Sequence, residues 1–205
     1  MNETLKSMKS DLAFMKAVAE DRGPIPALLG WHLIGIGGVF GFALLHVWSV
    51  YAGLTPWPEE AKPLLWLPGV LVYAPINAFI GIRGRHKALG PTARVFGAAW
   101  AAMGMMSIPA VLVLVLGEAQ TGEPFHGIWP ALALVLYGGA WVTIAMICRK
   151  LWNVLIAAGC FAAGLLCALL IRDPAQWLVM AGGFSFLVGA PGVGIVLAAR
   201  RASET

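Results

Sequence analysis

Charge is what this chain has least of. Only 12% of its residues are Asp, Glu, Lys or Arg, about half the share of an ordinary soluble domain. With 60% hydrophobic residues, that deficit excludes a fully solvated surface and places the chain in the membrane class. Cysteine is scarce too. Cys148, Cys160 and Cys167 are odd in number, lie in or at the end of apolar runs and match no zinc spacing. They read as small buried hydrophobes. No basic block is long enough to act as a nucleic-acid arm, so no nucleic-acid partner is expected. Residues 1–22 hold eight charged side chains and no apolar core of the signal-peptide kind. Targeting is therefore expected to rest on the first spanning helix.

Long apolar runs are what the chain has in place of charge. Stretches of about the 20 residues needed to cross the hydrocarbon core fall at 27–51, 64–82, 95–116, 128–148, 151–171 and 177–199. The expected fold is an all-α integral membrane protein: a six-helix transmembrane domain over residues 24–201, preceded by an amphipathic helix within residues 1–23. In that first segment Leu5, Met8, Leu12, Met15 and Ala19 recur at helical spacing and form one stripe. Lys6, Lys9, Asp11, Lys16 and Glu20 lie off it, and Gly23-Pro24 ends the helix. Such a helix lies in the bilayer interface or docks on the protein's own cytoplasmic surface.

Orientation follows from the basic residues. With six spans, all but Lys62 and Arg172 of the 14 Lys and Arg fall on the side of the two termini. The positive-inside rule then puts both termini in the cytoplasm, most simply across a bacterial inner membrane. Trp57, Trp66, Trp129 and Trp177 mark the outer interface, and Trp31 and Trp152 the inner one. Trp100 and Trp141 fall deeper, where each indole N–H should find a partner.

No Asp, Glu, Lys or Arg lies in the middle of a span, which weakens a proton- or sodium-driven carrier. Mid-span polar groups are limited to Asn77, Ser107, Thr143 and Ser185, and such groups usually bond a neighbouring helix. Pro75, Pro109 and Pro191 each remove a helical hydrogen bond and bend their spans. Broken helices of this kind line transporter sites. Pro75, Asn77, Ser107, Pro109, Thr143 and Pro191 are therefore candidate substrate-path residues. The glycine pair Gly37 and Gly41 makes a G-x-x-x-G, and Gly159 and Gly164 sit in an alanine-rich run; both pairs are candidate helix-packing positions. Arg83, Arg85 and Lys87 form the most basic loop and are candidate contacts for anionic lipid.

Histidines give a sharper idea. His32 and His46 are separated by four helical turns less about 40°, so they share a face about 21 Å apart. His86 and His126 divide between the same two sides. Paired histidines with Gly35 to Gly41 between them resemble the helix of membrane di-haem cytochromes b. The resemblance implies haem b held by His32 with His86 and by His46 with His126. It covers one helix, and no second helix carries a matching histidine pair.

No catalytic set stands out, and the chain leans away from enzymes. The leading expectation is an accessory or assembly component acting through helix packing, as a homo-oligomer or with a membrane partner protein. A small transporter or channel with proline-bent helices is the alternative, and a b-type haem protein the third.

Overall fold

The computed structural model describes residues 2–20, 27–58, 64–65, 67–84, 91–121 and 125–204. Within them it is helical, with no strand. In chain order the helices are α1 (Asn2–Glu20), α2 (Ala27–Tyr51), α3 (Leu67–Gly84), α4 (Pro91–Thr121), α5 (Trp129–Cys148), α6 (Leu151–Leu169), α7 (Ala175–Gly182) and α8 (Ala190–Glu204). A single 3₁₀ turn, Phe125–Ile128, leads into α5. A π-helical segment, Gly183–Gly189, joins α7 to α8, so these form one continuous helix.

Five helices are long and apolar enough to cross a membrane: α2, α4 from Ala93, α5, α6 and the continuous last helix over Ala175–Arg201. This is the composition of an all-helical membrane protein. The segment expected as the second span holds a shorter described apolar helix. Among the described residues its apolar helix covers Leu67–Phe79, and the sequence stays uncharged through Ile82.

The last helix is the central post. It packs on α2 on one side and on the α5–α6 hairpin on the other. Half of its spanning residues are buried, against 11% in α4. α3 lies on α2, and α4 lies on α5. The filled interior runs through Leu33, Phe96, Leu134, Trp141, Ile144 and Val188. Cys160 and Cys167 are fully buried in it, and Cys148 is half-buried.

Local chemistry explains the turns. α5 starts with Pro130 in its first turn, where a missing N–H costs nothing. It ends at Arg149, which adopts left-handed geometry at φ 50° and returns its N–H to the Ala145 carbonyl. Arg149 and Lys150 alone then reverse the chain into α6, a short αα-hairpin. At the next turn Asp173 Oδ1 accepts the Ala175 N–H at 2.8 Å and starts the last helix.

The π segment ends at Gly189, two residues before Pro191. At its end the Ala190 N–H bonds to the carbonyl of Ser185, five residues back. Proline has no N–H for the carbonyl four residues earlier, and a wider turn next to it absorbs the mismatch. The bend expected at Pro191 is thus taken up as a π turn.

α1 presents Leu5, Met8, Leu12 and Met15 outward, each 51–66% exposed. These four side chains are largely uncovered, and α1 touches the bundle at α4.

Candidate functional site

The two candidate histidines of α2 both face the side on which α3 lies. His32 meets Tyr73 of α3: the tyrosine hydroxyl is 3.0 Å from Nε2 and 3.3 Å from Nδ1. The rings are tilted at 60° with centroids 5.8 Å apart. His46 meets Trp57 edge-on, with centroids 5.5 Å apart. A groove of about 580 Å³ runs between α2 and α3, with His46 at one end and Gly35, Gly38, Phe42, Gly69 and Val72 along it. The lining is apolar apart from His46.

α2 and α3 come together at Gly69, whose missing side chain would meet Ala43 Cβ at 3.1 Å. Gly35 stands opposite the Tyr73 ring, 3.5 Å from where its Cβ would be. Beside them, nothing lies within 4 Å of the Cβ position of Gly38. The glycines of α2 thus serve two faces: Gly35 and Gly38 border the groove, and the others pack inward.

On the inward face, Gly37 lies against the backbone of Gly189 and the Phe184 carbonyl. Gly41 lies against the Ser185 hydroxyl, and Gly30 and Gly192 lie against each other's helix. The helices are antiparallel, and glycine lets their backbones touch. Gly159 packs against Leu187, and Gly164 against Val135 and the Ala131 carbonyl.

The substrate-path candidates do not converge inside the chain. Pro75 and Asn77 are exposed on α3, Pro109 on α4 and Thr143 on α5. Pro191 is half-buried in the last helix. The Ser107 hydroxyl donates to the Met103 carbonyl at 2.9 Å, and that of Thr143 to the Gly139 carbonyl at 3.1 Å. Both close on their own helix one turn back, as hydroxyls in apolar helices do. Ser107 also borders a shallow groove of about 300 Å³ with Ile108, Val111, Leu112 and Trp129. Arg85, Lys87 and His86 lie outside the described residues, as do the side chains of Arg83 and His126. Among the described residues no group of three His, Cys, Asp or Glu comes together to hold a metal ion.

Several polar groups escaped the sequence reading or settled differently. Asn153 is fully buried on α6, and neither polar atom of its amide has a hydrogen-bond partner among the described residues. Its position three residues into α6, beside Arg149 and Lys150, reads as interfacial in one dimension. The indole N–H groups of Trp100 and Trp141, for which partners were expected, have none among the described residues. Instead their rings meet edge-to-face at 5.6 Å, and Trp141 meets Trp152 at 5.6 Å. Aromatic edge-to-face packing supplies stabilisation that a hydrogen bond was expected to give. Tyr73 and Trp57, which partner the two histidines, carry no spacing signal because they lie on other segments.

No family model, no curated protein and no solved structure matches the chain.

Proposed function

We propose that the protein is a membrane-embedded accessory or assembly component that works by helix packing, and that it self-associates through α4. The observation that carries this reading is the bareness of that helix. Gly97, Ala101, Gly104, Ile108, Val111 and Val115 fall on one face at spacings of three and four, and that face spans about 27 Å of helix. No atom lies within 4 Å of the Cβ position of either glycine. Along that face Ala101, Gly104, Ile108, Val111 and Val115 are exposed and Gly97 is half-buried. In lipid, association is driven by close backbone approach and not by water, so a small-residue face of this length is the feature that a second copy would use.

Around this reading we place six crossings, with α3 completing its span through Leu64 and the residues after Phe79. Both termini then face the cytoplasm of a bacterial inner membrane, on the positive side of the charge asymmetry. The exposed stripe of α1, flanked by Lys6, Lys9 and Lys16, lies in the lipid interface.

Cysteine cross-linking in native membranes tests the association. With Cys148 replaced by alanine, Gly104→Cys should give a covalent dimer, and Val113→Cys, on the other side of α4, should not. The companion variant Gly104→Leu should abolish association measured by light scattering while leaving the fold intact. A monomeric wild-type protein with no Gly104→Cys dimer would overturn the proposal.

A further inference from the structure

Among the described residues, the groove between α2 and α3 combines a cavity, a polar group without a hydrogen-bond partner and an open side. Its lining on α2 runs from Ile34 to His46, about 18 Å of helix. A volume of about 580 Å³ over that length leaves a mean cross-section of roughly 30 Å², far less than a helix 10–12 Å across would need. That leaves room for hydrocarbon chain along the groove but not for the body of a helix. A helix of a second copy cannot enter it, and water has no polar lining to hold it there. About 18 Å also exceeds the roughly 15 Å depth of one leaflet, taken as half the hydrocarbon core. A chain lying along the groove therefore reaches from one interface to beyond the midplane.

The polar end fixes which way the occupant lies. His46 is half-buried and touches Trp57 through ring faces and edges only. No hydrogen bond engages its imidazole among the described residues. Trp57 is in the segment after α2, at the interface where indoles gather. An amphiphile whose chain fills the groove brings its head group to this pair, where the imidazole supplies a hydrogen bond.

We infer that this groove binds one phospholipid of the leaflet on the Trp57 side, with an acyl chain along Gly35, Gly38 and Val72 and the glycerol-phosphate region at His46. The bilayer is the reservoir to which the groove opens, so mass action favours its principal lipid. The consequence is structural. α3 has α2 as its one substantial neighbour among the described residues, and a lipid wedged beside that contact gives it a second. This inference stands apart from the α4 interface, because the two surfaces are on different helices.

Native mass spectrometry of the protein extracted in mild detergent tests it. The wild type should carry one adduct of phospholipid mass. Gly38→Phe should lose it, since a side chain there enters the groove without striking protein. Gly139→Phe, an equal change at another open lipid-facing glycine, should keep it. His46→Leu should weaken retention roughly fivefold, the value of one hydrogen bond. Thermal melting should show that delipidation lowers the wild-type Tm more than that of Gly38→Phe, whose ring replaces the chain. An adduct kept in Gly38→Phe or unweakened in His46→Leu would overturn the inference. So would an isoprenoid in place of a phospholipid, or a second copy of the chain lost in Gly38→Phe.

Discussion

Gly37 of α2 and Gly189 of the last helix lie backbone against backbone. A Cβ on Gly37 would run into the nitrogen and Cα of Gly189 and the Phe184 carbonyl, whereas a Cβ on Gly189 would sit 3.4 Å from Gly37 Cα. The contact is therefore unequal. Gly37 has no room for any side chain, and Gly189 has almost enough for a methyl group.

That inequality sets an order of stabilities. Gly37→Ala forces two helix backbones apart and is expected to cost about 1–3 kcal/mol, the usual range for overpacking. Gly189→Ala should cost less. Gly41→Ala should also be mild, because what it meets is the Ser185 hydroxyl, the end of a side chain that can rotate. Thermal melting of the solubilised protein reads the order directly, at roughly 2–4 °C per kcal/mol for a chain of this size. Equal melting temperatures for all three variants would mean that the crossing is looser than the contacts imply.

Tyr73 ties α3 to α2 through His32, and this bears on haem. An imidazole whose two nitrogens lie 3.0 and 3.3 Å from one hydroxyl is engaged by a protein group. The purified protein is expected to show no Soret band. Tyr73→Phe should lower stability by about 0.6 kcal/mol, the mean for hydrogen bonds between membrane helices. A Soret band abolished by His32→Leu would reverse this and restore the cytochrome-like assignment.

Much of the helix plan is legible in one dimension because lipid imposes it. The runs at 27–51, 128–148 and 151–171 differ from α2, α5 and α6 by at most two residues at either end, since apolar length and turn residues both mark the limits. α4 extends beyond its apolar run at both ends, over Pro91–Thr121, because a helix continues into the interface wherever nothing breaks it. Partnership across helices is harder to read. Gly37 and Gly41 form a recognisable motif, but Gly189, which receives Gly37, sits in a stretch that reads as a weak helix around Pro191. The groove at His46 depends on Gly69 and Val72, which are on another helix and share no spacing with it. Asn153 looks solvated beside two basic residues, yet the hairpin turn folds it inside.

The number of crossings turns on α3, and parity makes it testable. If α3 crosses, Ser10 and the Arg149–Lys150 turn share the cytoplasm. If it does not, that turn lies outside with Arg149 and Lys150, against the positive-inside rule. The full helix Leu67–Gly84 has 18 residues, about 27 Å, which nearly matches the hydrocarbon core. The basic residues of the loop after it are best placed in the cytoplasm. A membrane-impermeant maleimide applied to intact cells should therefore label Pro58→Cys, and should label Ser10→Cys and Lys150→Cys only after the membrane is opened. All three positions are exposed, and Cys160 and Cys167 are fully buried, so Cys148→Ala supplies a silent background. Labelling of Lys150→Cys in intact cells, with Ser10→Cys still protected, would show that α3 turns back without crossing and that the chain spans five times.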